Sequence, residues 1–421
     1  MPATGAAHDP RGPIFISYRH SDGKTIADQL VRLLRAAGLP VWIDQSDLTT
    51  GRFEDRIRQA MDEGLSGGVL VVTPDVAKSV IIKKVEAAGL LGLIDRDSRF
   101  SLSIVNAASD DWTGLDEPLG RRKGTLERIK QFTATPEEGL TEQAGKELVT
   151  AYVKDHFAAP TTGGDHLDLR IETRVAPPSP ARAEHHLDIY LSSPSDDEAI
   201  SREGLEDLRT TLGIVRDAIA SSRTPLLRVS GKPHLSVAFA LGAQFPKTLI
   251  GRAEAVTADG EVWSSSGPAS PEGIVRRERQ DERESLSTAK EVAVYVDLIE
   301  PRNDGPFDDF VNRPPAGLTA WAHLRIPDEC FGHGHLFGPE LGQKIALEAA
   351  HEIRELSYEH GTAHVHLFLR CPFPVAFLIG RLVNTLDLTV YEYSKSDGRY
   401  IPALEVDTSR SGNVIRKVLA P

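Results

Sequence analysis

Cysteine is nearly missing from this chain: its 421 residues hold two, Cys330 and Cys371. Two thiols are too few for a disulfide framework or a cysteine-rich metal site, and a reducing cytoplasm is the simplest home for them. No uninterrupted apolar run approaches the roughly 18–20 residues that span a bilayer, so no membrane contact is expected. Residues 1–13 lack the apolar stretch of a secretory leader, and none is read there. Basic charge is in deficit too. Lys and Arg number 48 against 61 Asp and Glu, a formal net charge of −13. That balance argues against a protein that coats DNA or RNA. It leaves room for a small anionic ligand, because a local pocket can oppose the global sign. Gly-rich phosphate loops and metal-ligand motifs are also missing, so no metal and no bound cofactor are expected. What is present, 40% hydrophobic and 26% charged residues, fits a globular chain of two or three domains.

The first part alternates strand and helix patterns. Residues 14–18, 40–44, 68–73 and 101–105 read as short buried strands. Ile26, Leu30, Leu33, Leu34 and Ala37 recur at helical spacing, and Gly38 stands where a helix ends. Further helices are expected around Phe53, Ile57, Ala60 and Met61, over 78–94, and near 137–156. Such alternation predicts a parallel sheet with helices on both faces. Residues 158–183, rich in Pro and Gly, read mostly as a linker, dividing a domain at 12–157 from one at 184–421.

The second domain contains an internal repeat. Residues 228–263 align without a gap on 366–401, at a constant offset of 138, with seven of 36 positions identical. Val237-Ala238-Phe239 matches Val375-Ala376-Phe377; Gly242 matches Gly380, and Glu254 matches Glu392. Asp259-Gly260, a hairpin-turn dipeptide, matches Asp397-Gly398. Each copy is preceded by a strand, at 187–192 and 291–299, so two related α/β units in tandem are expected, about 184–263 and 291–421.

Candidate site residues cluster at predicted strand ends. Ser17-Tyr18-Arg19-His20-Ser21-Asp22 follows the first strand, and ligands of open parallel sheets bind beyond such ends. Tyr18 suits stacking on a planar ring and Arg19 suits a phosphate; a polar capping loop is the plainer reading. On a helical wheel Glu86 falls only about 40° from Ile82, at the edge of the apolar stripe, while Lys83 and Lys84 point elsewhere. A buried carboxylate costs free energy unless it is paired or used; a solvated helix Glu is the plainer alternative. In the repeats, Lys232 and Arg370 occupy equivalent places between a strand and a helix start. Ser236 suits an N-cap and Pro374 a first turn, and a cation beside a helix N-terminus suits a phosphate. Tyr190, Tyr295, Phe373 and Tyr391 are candidates for base stacking, or for the core.

Ile14-Phe15-Ile16-Ser17-Tyr18 resembles the opening box of TIR domains. Val41-Trp42-Ile43-Asp44, followed by Leu48 and by Gly51 before Phe53, resembles their second strand and BB loop. Ser79 followed by Glu86 resembles the glutamate region of enzymatic TIRs, with Ile82 where such families usually carry Trp. The resemblance implies a flavodoxin-like fold and cleavage of the nicotinamide–ribose bond of NAD+. It implies Glu86 as the catalytic carboxylate, with Tyr18, Arg19, Ser21, Asp44, Leu48 and Ser79 binding NAD+ as substrate. The C-terminal half resembles the SAVED domain, itself similar to two fused CARF-like α/β units. That resemblance implies a cyclic oligonucleotide as activator, a cyclic trinucleotide and foremost cyclic tri-adenylate, held by Ser192, Arg228, Lys232, His234, His366, Arg370, Phe373 and Tyr391. The pairing implies a cytoplasmic NAD+ glycohydrolase of bacterial anti-phage signalling (CBASS), switched on by ligand-induced head-to-tail filament assembly. A non-enzymatic TIR scaffold, or a cyclase releasing cyclic ADP-ribose, are the alternatives.

Overall fold

The computed structural model describes residues 8–43, 63–78, 86–108, 126, 129–158, 165–174, 182–191, 200–266, 273–284, 290–331 and 337–420. Two compact units divide them, and each is treated by itself.

The first unit holds strands β1 (Ile14–Ser17), β2 (Val41–Ile43), β3 (Gly67–Val72), β4 (Ser101–Asn106), β5 (Lys130–Thr135) and β6 (Gly139–Leu140). Its helices are α1 (Lys24–Ala36), α2 (Ala87–Arg96) and α3 (Glu142–Ala158). The strand order is β2-β1-β3-β4-β5-β6, parallel except for the β5–β6 hairpin. Phe15, Trp42, Leu70, Leu90 and Ile104 belong to one core cluster, with the Phe15 and Trp42 rings 4.7 Å apart. Helix α1 ends as the sequence predicts. Gly38 adopts φ +83, its amide bonds to Arg35 O, and the Leu39 amide reaches back to Leu34 O, each at 3.0 Å. This double bond pattern satisfies carbonyls the helix leaves open, and a glycine takes the left-handed turn without a Cβ clash.

Two expectations need correction here. The helix expected near 137–156 starts only at Glu142, because Gly139 at φ +78 turns the preceding residues into the β5–β6 hairpin. Strand β5 was not anticipated: Phe132 and Ala134 are its buried residues among polar neighbours, a period-two signal short of hydrophobes. Of the helix expected over 78–94, a 3-10 turn (Pro74–Lys78) and α2 are seen; 79–85 lie outside the described residues, as does the helix expected at 53–61.

The expected linker is not a linker throughout. Leu167–Glu172 forms strand β7 of the second unit, with Leu167, Leu169 and Ile171 buried between polar neighbours. Strand β8 (Leu187–Tyr190) groups with the first unit instead, where the Asp188 amide bonds to Gly38 O at 3.0 Å. Pro and Gly on both sides hid the short alternation of β7.

The rest of the second unit runs α4 (Arg202–Ser221), β9 (Leu226–Lys232), α5 (Leu235–Gln244), β10 (Arg252–Val256), β11 (Val262–Ser264), β12 (Arg276–Glu282) and β13 (Glu291–Asp297). Then follow α6 (Gly305–Asn312), β14 (Leu318–Arg325), α7 (Pro339–Glu359), β15 (His364–Arg370), α8 (Phe373–Leu382), β16 (Asp387–Ser394), β17 (Arg399–Asp407) and β18 (Ile415–Val418). One sheet has the order β12-β14-β13-β15-β16-β17-β18, with its four strands from β14 to β16 parallel. In the other, β7, β9 and β10 are parallel and β11 returns antiparallel on β10.

The repeat is real in three dimensions. β9 and β15, and likewise α5 and α8, share the offset of 138, and the matching turn glycines Gly260 and Gly398 both have positive φ, +86 and +64. Helices α5 and α8 pack directly on each other, and the contact is reciprocal. A Cβ on Gly242 would lie 2.0 Å from Phe377 O; one on Gly380 would lie 2.2 Å from Phe239 O. Both helices are almost wholly buried, which suits their lack of a polar face. Arg381 of α8 donates to the carbonyls of Phe245 and Ile250 beyond the end of α5, and burial pushes its guanidinium down to about 10. The strand beside β9 is β7, as β13 is beside β15. The repeat partner of β13 is therefore β7, and not the 187–192 segment that the sequence suggested.

Candidate functional site

In the first unit, the C-terminal ends of three neighbouring parallel strands carry buried polar residues. These are Ser17 on β1, Thr73 just after β3 and Asn106 on β4. Ligands bind outside this edge in open parallel sheets. Glu86, one residue before α2, is 4% exposed, and the Ser17 hydroxyl donates to its Oε2. The helical-wheel placement of Glu86 inside the apolar edge is thus matched by its burial. The loop between β1 and α1 is fastened to the end of β3. Asp22 accepts from Thr73 Oγ1 at 2.7 Å and from the Asp75 amide at 2.9 Å, while Ser21 donates to Asp75 at 2.9 Å. Tyr18 is buried with its ring 4.7 Å from His20, and Arg19 is half-buried. Tyr18, Arg19, Ser21 and Glu86 therefore share one sheet edge; Asp44, Leu48 and Ser79 lie outside the described residues.

Ser17 opens the candidate segment named in the sequence, which gave it no role of its own. Its signal was the strand period: two residues after Phe15, it shares the face on which α2 packs.

In the second unit, Lys232 is exposed at the end of β9, and its counterpart Arg370 is not. Arg370 donates to Asp297 Oδ1 at 2.6 Å, to Pro301 O at 2.6 Å and to Ile299 O. Asp297 also accepts from Arg325 at 2.6 Å. Burial alone would raise the Asp297 carboxyl, but surrounding donors and the Arg370 and Arg325 charges hold it below the usual range. Asp297, Asp304 and His323 lie close enough to suggest a metal. The donor set does not fit one: Arg325 and Arg370 already hold Asp297, and Arg279 lies 3.4 Å from Asp304, so a cation would meet three guanidiniums.

The helix N-termini differ as well. The Ser236 amide and hydroxyl at the start of α5 both donate to Glu392 Oε2, at 2.9 and 2.8 Å, in a buried site. An internal carboxylate thus sits where the sequence suggested a ligand phosphate. His234, the residue before α5, is buried and bonded through Nδ1 to Thr173 Oγ1 at 2.6 Å. At α8 the first turn carries Pro374, without an N–H, and Phe373 is half-buried.

Lys232 and His234 are brought together at one strand end, and Arg370 and Phe373 at the equivalent end. Arg228 is not with them. Four residues up β9, about 13 Å away at strand rise, it pairs with Glu254 at 3.1 Å. His366 bonds to Glu291 and Tyr391 at 3.0 and 3.1 Å, and Tyr391 stacks on Phe368 at 4.2 Å. Tyr391 and Phe368 belong to a buried aromatic cluster with Tyr295, which suits core packing rather than base stacking. Ser192 lies outside the described residues. No described helix is long and apolar enough to cross a membrane.

Residues 14–117 match the TIR domain family, and residues 207–406 match the SMODS-associated and fused to various effectors sensor domain, SAVED. Similar solved structures include the Acinetobacter baumannii Cap4 SAVED/CARF-domain containing receptor with the cyclic trinucleotide 3'3'3'-cAAA. It is 14% identical over 92% of this chain and 98% of that one, with a TM-score of 0.46. The same receptor with 2'3'3'-cAAA is 15% identical over 91% and 97%, at a TM-score of 0.45. The Moraxella osloensis Cap4 receptor is 14% identical over 92% and 98%, at 0.42. No curated protein matches the chain. With a TIR domain at its start, joined to a duplicated α/β sensor domain, the chain is a TIR–SAVED protein.

Proposed function

We propose that this protein is an NAD+ glycohydrolase switched on by a cyclic oligonucleotide. The observation that carries the reading is the buried Glu86 carboxylate at the C-terminal edge of the TIR sheet. Breaking the bond between ribose C1′ and the nicotinamide nitrogen sends the electron pair to that nitrogen. The leaving group becomes neutral, so no general acid is needed. Positive charge develops on the ribose ring, and a fixed carboxylate beside it stabilises that charge. Water then adds to C1′ and loses a proton, giving ADP-ribose.

The fused sensor supports control by a ligand. Lys232, exposed at its strand end, is the first-repeat cation available to a phosphate, and Phe373 marks the equivalent edge of the second repeat. The activator is a cyclic trinucleotide, cyclic tri-adenylate foremost, and binding drives head-to-tail assembly that gathers TIR domains. Heterologous contacts that do not close make open filaments. Consumption of NAD+ would then serve anti-phage defence.

The test incubates the purified full chain with NAD+ and a panel of cyclic oligonucleotides, followed by product analysis and light scattering. Nicotinamide and ADP-ribose should appear with one activator, together with large assemblies. Cyclic ADP-ribose as the main product would make it a cyclase. No nicotinamide with any activator would leave a TIR scaffold.

A further inference from the structure

We propose that Ser17 is the positioning residue of the Glu86 carboxylate, an inference that rests on the NAD+ chemistry assigned to Glu86 above. Strand β1 is held on both sides, by β2 and by β3, with Ile16 opposite Ile43 and Ser17 opposite Leu70. Its last residue is therefore fixed by the β3 ladder, one step beyond the last pair with β2. Glu86 stands at the foot of α2 on a side chain with three rotatable bonds. The Ser17 hydroxyl, donating to Oε2, ties that carboxylate to the sheet. Ser17 is itself 1% exposed, so it acts through Glu86 and does not touch substrate.

The chemistry needs this restraint. A carboxylate stabilises a developing ribosyl cation in proportion to how well it is aimed before the bond breaks. This effect grows as charge develops and is small while NAD+ is merely bound. Loss of the hydroxyl should therefore lower kcat and leave KM nearly unchanged.

The experiment compares wild type, Ser17→Ala and Ser17→Thr as full chains, under the conditions in which wild type releases nicotinamide. Ser17→Ala should lose about 10- to 100-fold in kcat, the range for one hydrogen bond to a charged group. Its KM should stay within about two-fold, since ground-state binding is untouched. Ser17→Thr, which keeps the hydroxyl, should recover most of the rate. A second readout needs no turnover. In protein labelled with 13Cδ-glutamate, the Glu86 signal, assigned by its disappearance in Glu86→Gln, should move in Ser17→Ala and return in Ser17→Thr. An unmoved signal overturns the proposal, and so does a Ser17→Ala protein with wild-type kcat or a Ser17→Thr protein as slow as Ser17→Ala. If wild type itself cleaves no NAD+, the functional reading fails, and the carbon signal still decides whether Ser17 holds Glu86.

Discussion

Removing the Glu392 side chain should open the start of helix α5. One oxygen of Glu392 receives two donors, the Ser236 amide at 2.9 Å and the Ser236 hydroxyl at 2.8 Å, at a site only 6% exposed. In Glu392→Ala both donors lose a charged acceptor where little water can replace it. Hydrogen bonds to charged groups are worth about 1.5–3 kcal/mol each. The two share one acceptor atom and do not add fully, so a loss of about 2–5 kcal/mol is expected. Glu392→Gln keeps an acceptor oxygen in nearly the same place and gives up only the charge near the helix N-terminus, about 1 kcal/mol. The gap between the variants is the signature. Amide hydrogen exchange along α5 reads it as the free energy of local opening, without requiring the two-unit chain to unfold in one step. Protection of α5 in Glu392→Ala that equals protection in Glu392→Gln would refute the assignment of Glu392 as its cap.

Glu86→Gln should abolish nicotinamide release while leaving oligonucleotide binding intact; near-normal turnover would remove Glu86 from the reaction. Lys232→Glu should weaken binding of cyclic tri-adenylate by an order of magnitude or more with the sensor still folded, since one charge-assisted phosphate contact is worth about 1.5–3 kcal/mol. Arg370→Glu should instead lower sensor stability, by about 3–5 kcal/mol, because it sets a second carboxylate against the buried Asp297 in place of a half-buried guanidinium; calorimetry separates the two variants, and a fully stable Arg370→Glu protein would contradict the Asp297 network. Gly380→Ala should cost the sensor stability in a thermal melt, because its Cβ would meet Phe239 O at 2.2 Å. The Asp297 carboxyl is held below its unfolded value. Its contribution is therefore full above the ordinary Asp value of about 4 and fades as pH falls through the folded value; Asp297→Asn should flatten that acid limb.

Local pattern carried much of this fold. The apolar runs of β1, β3 and β4 read as strands because hydrophobes fill them, and the helix–Gly38 boundary read correctly because a left-handed turn selects glycine. The repeat was legible because both copies kept their spacing. Strand β7 was not, since three buried hydrophobes between Pro- and Gly-rich flanks make a weak signal. Residue chemistry fared differently at the two sites. The helical wheel put Glu86 at the edge of an apolar stripe, with a solvated glutamate the plainer reading. The TIR resemblance singled it out, and the structure shows it buried. The partners of Arg370 left no such sign: Asp297 is 73 positions away, and only the pairing of β13 with β15 brings it opposite. Glu392 stands 156 positions from Ser236. Spacing between elements that meet across a sheet leaves no local trace, so cations that look alike in sequence, Lys232 and Arg370, can be exposed in one copy and committed in the other.

The backbone-close crossing of α5 and α8 has a consequence for mass action. Two separate subunits meeting through such a crossing would dissociate on dilution, and their association would set a threshold for sensing. Here covalent connection fixes the stoichiometry at one to one, and dilution cannot part the two repeats. The complete two-repeat sensor is therefore present in every molecule, at any protein level. Whatever dependence on protein level the activity shows must arise between chains, and a dilution series at saturating activator reports that step alone.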